Sequence, residues 1–194
     1  ADDGWPASSV PAAEETVRSI RDTGGEAVPV QADLSSPEGA DRLVEAAFDA
    51  FEHLDIWANV AGADILTGAG GRMDPVEKAD AVISVDLLGT VHCSQRAGRI
   101  MKEAGRGVII NVAWDQVHTG MQTAGTDAEL YAAAKGGIAA FSRALSLSLA
   151  PEVRVNVVAP GWIATRFARE EMSEDDYRRV VEGTPLGRFG VPED

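Results

Sequence analysis

The regular alternation of short apolar segments with longer segments of helical periodicity most strongly constrains how this chain can fold. Apolar runs occur at 54–60, 107–114 and 153–158, and each is followed by small or polar residues that favour a turn. Between these runs, positions 74–102 and 129–149 have the length and periodicity of helices. Strands that alternate with helices pair in parallel through right-handed crossovers. The sequence therefore predicts an α/β fold built on one parallel sheet.

The segment before position 54 predicts two further helices and one edge strand. Positions 12–21 are rich in alanine and glutamate, and the glycines at 24 and 25 favour a helix end there. Residues 27–33 have the composition of a strand, and Pro29, which cannot donate a ladder hydrogen bond, places that strand at a sheet edge. Ser35-Ser36-Pro37 supplies a cap and a first-turn proline for the next helix. That helix carries one apolar stripe, formed by Ala40, Leu43, Val44, Ala47, Phe48 and Phe51.

Composition excludes several classes of protein. With 194 residues, of which 45% are hydrophobic, the chain is long enough for a single domain with its own core, which we place at 1–194. A formal net charge of −14 argues against a nucleic-acid partner, because phosphate binding needs a basic face. We find no signal peptide and no apolar run long enough to span a membrane, and we therefore expect a cytoplasmic protein.

The cysteine and histidine residues argue against disulfide and metal chemistry. Cys93 is the only cysteine, which excludes an internal disulfide and fits a reducing compartment. Its place in a helical pattern predicts a small core residue and not a nucleophile. His53, His92 and His118 lack the spacing of zinc ligands, so we expect no metal site.

Tyr131 and Lys135 provide the strongest local signal for chemistry. They are four positions apart in a helical segment, so their side chains share one face of the helix. A phenol with a pKa of about 10 is a poor acid–base group at neutral pH. An ammonium group one turn away favours the phenolate and lowers that pKa toward the working range. The alternative is a surface pair with no function, and the flanking sequence decides between the two.

The flanking motifs follow one another in a fixed order along the chain. LDIWANVAG, SVDLLGT and GVIINV precede the helix that begins ELYAAAK, and APEVRVNVVAPGWIAT follows it. Together these segments resemble the short-chain dehydrogenase/reductase family. The resemblance identifies the chain as an atypical member of that family. The resemblance covers nearly the whole chain. It implies a Rossmann-like, doubly wound parallel sheet in three αβα layers that binds NAD or NADP.

The resemblance implies a role for each member of the helical pair and for one upstream carboxylate. Tyr131 matches the catalytic tyrosine that passes a proton to or from the substrate oxygen. Lys135 matches the lysine that lowers the pKa of that tyrosine and holds the nicotinamide ribose. Asp33 matches the acid after the third strand that contacts adenine. Its alternative role is a strand-end carboxylate that precedes a helix cap.

The resemblance also implies two cofactor-binding segments and a substrate-covering region. The family's Asn-Asn-Ala-Gly turn is matched by Asn59, Ala61 and Gly62, with Val60 in place of the second asparagine. A glycine there lets the backbone approach the cofactor closely. The segment that lies along the nicotinamide and phosphates is matched by Pro160, Gly161, Ile163 and Thr165. Residues 162–190 correspond to the region that covers the substrate.

The chain departs from the family pattern at the end of the strand GVIINV. The family usually places a serine there to hold the substrate carbonyl, whereas this chain has Trp114, preceded by alanine and followed by Asp115. Either Trp114 plugs the substrate site and the protein is inactive, or Asp115, His118 or Thr119 replaces the serine as a hydrogen-bond partner. Asp115 helps only if it is protonated or acts as a base, because a bare carboxylate repels an oxyanion. We favour a working enzyme, since Tyr131 and Lys135 are both present.

A second departure is Asp86 in SVDLLGT, where the family usually has an asparagine that anchors a water in the proton relay. An aspartate is nearly isosteric with asparagine and can still accept hydrogen bonds. Its charge, however, can compete for the ammonium group of Lys135. The alternative is that Asp86 is a solvated or capping helix residue.

The third departure concerns the ends of the sequence. The family's first strand and its Thr-Gly-x-x-x-Gly-x-Gly loop, which cradles the pyrophosphate, do not precede the first helix. The segment 67–71 has the wrong glycine spacing and is better interpreted as a turn. We therefore expect an N- and C-terminally truncated family member with exposed apolar sheet edges. This chain alone should be marginally stable and should bind dinucleotide poorly, and micromolar affinity in a cofactor titration would contradict that expectation.

These features lead to one function and one alternative. The preferred function is an NAD(P)-dependent oxidoreductase that moves hydride between nicotinamide and a carbonyl or alcohol carbon of a small molecule. In that reaction Tyr131 handles the proton, with Asp86 and Asp115 as further catalytic candidates and Trp114 and His118 as substrate-contacting candidates. The alternative is a catalytically impaired dinucleotide-binding or regulatory protein on the same fold. In either case the resemblance implies a homodimer or homotetramer.

Overall fold

The computed structural model describes residues 9–66, 68–118, 126–165, 168 and 172–194. In chain order the regular elements are α1 (Ser9–Asp22), α2 (Pro37–Phe51), β1 (Ile56–Asn59), α3 (Pro75–Ala81), α4 (Thr90–Glu103), β2 (Gly107–Val112), α5 (Thr126–Leu149), β3 (Val153–Val158) and α6 (Glu174–Gly183). A π-helical segment, Val82–Gly89, joins α3 to α4, and one 3-10 turn, Asp115–His118, follows β2.

The three strands form a parallel sheet in the order β1-β2-β3. Ile56 is paired with Val108 and Asn59 with Asn111, while Gly107 is paired with Val153. Helical crossovers connect the strands, as α/β sequences require. The parallel sheet with flanking helices confirms the predicted Rossmann-like fold class, and it brings the carboxyl ends of all three strands to one edge.

One face of the sheet carries the main apolar core. Buried residues from α4, α5, β2 and β3 meet there with the half-buried Trp57 of β1, and α2 packs against α4. The first group comprises Met101, Ile109, Leu145, Leu149 and Val153, and the second Ala40, Val44, Cys93 and Ala97. Burial raises the pKa of the Cys93 thiol to about 11, so the thiol stays protonated and unreactive at neutral pH. The prediction that Cys93 is a core residue is confirmed.

Helix ends follow the local sequence signals. The Ser36 hydroxyl accepts a hydrogen bond from the Gly39 N–H at 3.1 Å, and Pro37 begins α2. Asp74 caps α3 through hydrogen bonds from the Val76 and Glu77 N–H groups at 2.8 and 3.0 Å. The helical stretch expected over 74–102 is therefore present, although its middle part has π-helical hydrogen bonding.

The strand expected at 27–33 is wrong, because this segment has no regular secondary structure and forms no ladder. A strand needs a neighbour, and β1 pairs only with β2 in the described part of the chain. The apolar edge that the sequence predicts is present, since Ile56 is 65% and Val60 71% exposed. None of the described helices is both long and apolar enough to cross a lipid bilayer.

A buried polar network ties the sheet to the helices beneath it. The Asn59 amide donates to the Asn111 side-chain oxygen at 2.8 Å and to the Ser94 hydroxyl at 2.9 Å. The Asn111 amide in turn donates to the Ser142 hydroxyl at 2.9 Å. Asn111, Ser94 and Ser142 are buried, so their hydrogen-bond partners can come only from the protein.

We expect Asn111→Ala to lower the free energy of unfolding by about 1–3 kcal/mol, because it leaves buried polar groups of its neighbours without partners. Denaturant titration of the variant measures this loss. Ser148→Ala is a matched control, since that exposed hydroxyl only bonds a carbonyl of its own helix. A loss no larger than that of the control would contradict the structural role of the network.

Candidate active site

The candidate site lies at the carboxyl edge of the sheet, where ligands bind in open α/β folds. Four segments meet there: the turn 60–63 after β1, the residues 113–118 after β2, the segment 159–165 after β3, and the N-terminal half of α5. The π-helical segment packs against α5 and completes the site from one side.

Tyr131 and Lys135 lie on one face of α5, as their spacing predicts. The Lys135 ammonium nitrogen is 5.3 Å from the centroid of the Tyr131 ring. Lys135 is buried and Tyr131 is half-buried. The interpretation of these two residues as a surface pair is therefore wrong, because the helix turns both side chains toward the interior of the site.

Asp86 forms a buried ion pair with Lys135. Oδ2 of Asp86 is 3.2 Å from the Lys135 nitrogen, and the two side chains are 1% and 6% exposed. The other carboxylate oxygen accepts a hydrogen bond from the Ala63 N–H at 2.7 Å. The interpretation of Asp86 as a solvated or capping residue is wrong, whereas the expectation that its charge lies near the ammonium group of Lys135 is confirmed.

The pKa of Tyr131 is raised above its ordinary value, first by burial of the phenol and then by the negative charge of Asp86. The sequence predicts the opposite direction, from an ammonium group one helical turn away. That prediction is wrong because burial of the phenol and the charge of Asp86, which is paired with the ammonium group, together outweigh the effect of Lys135. The phenol is thus held in its protonated form.

Trp114 fills the space beside the phenol. Its indole is 8% exposed and packs edge-on against the Tyr131 ring, with ring centroids 5.2 Å apart. Trp114 also packs edge-on against Trp162, with ring centroids 5.7 Å apart. The aromatic contacts continue from Trp162 to Phe189 at 6.2 Å and from Phe189 to Tyr177 at 4.5 Å.

Sequence reasoning missed this aromatic series, although every member of it is visible in the sequence. The contacting rings are 12 to 48 positions apart in the sequence and cannot be recognised as neighbours without the fold, and the signal was only a group of large rings after β3. The series connects Tyr131 with α6 in the region 162–190. That region forms its own small core, in which Val180 and Phe189 are buried.

Asp115 begins the 3-10 turn after β2 and lies against the segment that follows β3. Its N–H donates to the Pro160 carbonyl at 3.3 Å, and a Cβ atom at Gly161 would lie 3.0 Å from its Oδ2. Desolvation raises the pKa of Asp115, which is the direction that a proton-donating role requires. His118 closes the same turn through its backbone. The His118 side chain and all of Thr119 lie outside the described residues.

Two of the cofactor residues expected at the end of β1, Asn59 and Gly62, contact other parts of the chain. The Asn59 side chain is engaged by the buried network and also accepts a hydrogen bond from the Trp57 indole at 2.9 Å. Ala61 is exposed. Gly62 lies against Asp86, because a Cβ at that position would meet the two carboxylate oxygens at 3.1 and 3.3 Å.

Asp33 lies just before the cap of α2. Its carboxylate accepts hydrogen bonds from the Ser35 N–H at 2.9 Å and the Ser35 hydroxyl at 2.7 Å, and these bonds lower its pKa. This geometry is that of the alternative role, a carboxylate that precedes a helix cap.

The segment after β3 is held by short backbone contacts. Ile163 bridges to Gly190, and the Ala164 N–H donates to the Gly190 carbonyl at 2.8 Å. Pro160, Gly161 and Ile163 are half-buried and Thr165 is exposed.

Of the segment 67–71, the glycines at 70 and 71 lie in a short 3-10 turn and Thr67 lies outside the described residues, so the turn interpretation agrees with the described part.

Comparison with known proteins gives consistent results. A family model described as enoyl-(acyl carrier protein) reductase matches residues 7–194. The 3beta-hydroxysteroid dehydrogenase 1 of Eggerthella lenta is 35% identical over 185 residues, which are 94% of this chain and 69% of that protein. The 3-oxoacyl-(acyl-carrier-protein) reductase of Synechocystis sp. is 34% identical over 191 residues, 97% of this chain and 72% of that protein. A crystal structure of a provisionally assigned short-chain alcohol dehydrogenase from Sinorhizobium meliloti 1021 has a TM-score of 0.78 and 32% identity, covering 92% of this chain and 69% of that one.

We expect Gly62→Ala to lower the free energy of unfolding by about 1–3 kcal/mol, because the added methyl group crowds the buried Asp86 carboxylate and strains its contacts with Lys135 and the Ala63 N–H. Gly136→Ala is the control, since its added methyl group meets only Val117 at 4.0 Å and removes a glycine from α5. The control should be neutral or stabilising by up to about 1 kcal/mol. Denaturant titration of the two variants measures their free energies of unfolding. Equal changes in the two variants would contradict the close packing of Gly62 on Asp86.

Proposed function

The chain belongs to the short-chain dehydrogenase/reductase family, and from that premise we propose that it transfers hydride between NAD or NADP and a carbonyl or alcohol carbon of a small molecule. Its relatives are named dehydrogenases and reductases, which supports an oxidoreductase. The observation that supports the proposal most strongly is the Tyr131–Lys135 pair, whose side chains lie at the carboxyl edge of a parallel sheet.

Tyr131 is the proposed acid–base group. Its half-buried phenol donates a proton to the forming alkoxide in the reductive direction, and its phenolate accepts the proton of the alcohol in the oxidative direction. The raised pKa keeps Tyr131 in the phenol form at neutral pH, which is the form that the reductive direction uses. The nicotinamide, when bound, supplies or accepts the hydride, and Lys135 would hold its ribose.

The residues present fit the nicotinamide half of the cofactor. Lys135 is a buried donor beside Tyr131, and Gly161 keeps the backbone after β3 free of a side chain at the same edge. We assign cofactor contacts to Asp33, Asn59, Ala61, Gly62, Tyr131, Lys135, Pro160, Gly161, Ile163 and Thr165. For Asp33 and Asn59 the side chains have partners within the chain, so their contacts to the cofactor require exchange of those bonds.

Asp115 is the proposed replacement for the family's serine, with Trp114 and His118 as substrate contacts. Asp115 is exposed at the sheet edge, and partial desolvation raises its pKa toward the protonated form that can donate to a carbonyl oxygen. The relatives' names include a steroid, a sugar and an acyl-carrier-protein substrate, so they support the reaction type and leave the substrate class open. We also place the protein in the cytoplasm as a homodimer or homotetramer.

A second candidate function is that of a catalytically impaired dinucleotide-binding protein. Two observations favour it: the Trp114 indole occupies the space beside Tyr131, and Asp86 neutralises Lys135. Nicotinamide binding measured by calorimetry, together with a lack of turnover over a broad panel of alcohols and carbonyls, would establish this alternative. Turnover of any member of the panel excludes it.

We expect Tyr131→Phe in the full-length protein to lower kcat/KM by about 10²–10⁴-fold, because the variant keeps the ring and loses the transferable proton. Nicotinamide affinity should be unchanged, and its measurement is the control for a folded site. Turnover equal to that of the parent protein would contradict the proposed function.

A further inference from the structure

Asp86 is held in a single orientation by two donors on two different elements. The Lys135 ammonium on α5 lies 3.2 Å from one carboxylate oxygen, and the Ala63 N–H in the turn after β1 lies 2.7 Å from the other. Gly62 packs directly on the carboxylate. A carboxylate fixed and buried in this way interacts with neighbouring charges through protein and not through water, which strengthens the interaction.

The charged groups around Tyr131 can be named element by element. Lys135 lies on the same helix, and Asp86 faces it from the π-helical segment. Asp115 begins the 3-10 turn that packs on α5. At the start of α5, Asp127 forms a separate ion pair with Lys78 of α3 at 2.7 Å. Among the described side chains, Asp86 is thus the carboxylate that is in direct contact with the ammonium group beside the phenol.

We propose that Asp86 is the counter-ion of Lys135 and thereby sets the pH range over which Tyr131 exchanges its proton. The pair places a net charge near zero beside the phenol, where Lys135 alone would place a positive charge. A positive charge favours the phenolate, and a neutral pair does not. Asp86 is therefore a positioning residue that acts on Tyr131 through Lys135. The consequence for catalysis rests on the proposed function, whereas the consequence for the phenol does not.

The sign of the effect follows from the charges. The negative charge of Asp86 raises the pKa of Tyr131, so removing that charge lowers it. In the oxidative direction, which needs the phenolate, the rise of activity with pH should occur at lower pH in Asp86→Asn. In the reductive direction, which needs the phenol, the fall of activity at high pH should also move to lower pH.

The direct test is an ultraviolet titration of Tyr131 in the full-length protein. Tyr177, the other tyrosine of this sequence, is replaced by phenylalanine, which keeps its ring stacking on Phe189. Subtracting the same titration of Tyr177→Phe/Tyr131→Phe isolates the phenolate signal of Tyr131. We expect Asp86→Asn in this background to move the midpoint to lower pH by about one unit or more. An unchanged or higher midpoint would overturn the proposal.

Asp127→Asn is the matched control. It removes a carboxylate one turn before Tyr131 on the same helix, but that carboxylate pairs with Lys78 and leaves the Asp86–Lys135 pair intact. Its midpoint should stay at the parent value. A shift as large as that of Asp86→Asn would show a general charge effect and overturn the assignment to Asp86.

A second variant covers the case in which Asp86→Asn does not fold with an unpaired buried lysine. Asp86→Asn/Lys135→Met removes both charges, so the Tyr131 midpoint should stay near the parent value. A midpoint well above it would mean that Lys135 acts on Tyr131 without a counter-ion and would overturn the proposal. These titrations need neither cofactor nor turnover, so a shifted midpoint in a protein without turnover would contradict the proposed function and leave this inference standing.

Discussion

The buried contact between Asp86 and Lys135 connects three parts of the site that are far apart in the sequence. The carboxylate comes from the π-helical segment, the ammonium from α5, and the second hydrogen bond from the turn after β1. Breaking a buried ion pair by removal of one partner typically costs about 3–5 kcal/mol, because the remaining charge is left uncompensated. The buried charge of Lys135 is therefore compensated by an acidic residue at a position where the family pattern has an amide.

The two departures from the family pattern act on Tyr131 in the same sense. Trp114 packs an apolar ring beside the phenol and Asp86 neutralises the neighbouring ammonium, and both disfavour the phenolate. Trp114 also links Tyr131 through Trp162 to the small core of the region 162–190. Movement of that region would change the packing of Trp114 and hence the environment of the phenol.

Local sequence signals correctly predicted the features that depend only on interactions between neighbouring residues. The spacing of Tyr131 and Lys135 placed them on one helix face, and the serine–proline pair before α2 located its start, because caps and helix periodicity need only a few neighbouring residues. The strand expected at 27–33 failed for the opposite reason, since a strand exists only through its partner. The predicted direction of the pKa shift of Tyr131 was wrong because burial and a carboxylate that is distant in the sequence outweigh the nearby ammonium group.

The most direct test of this account is a carbon-13 NMR titration of the full-length protein labelled at the tyrosine ring carbon that bears the hydroxyl. Tyr131 is assigned by its loss in Tyr131→Phe. We expect its resonance to show the phenol form at neutral pH and to titrate above the ordinary tyrosine value of 10.0. A midpoint below that value would show that Lys135 acts on the phenol as an unpaired cation, and would contradict the account.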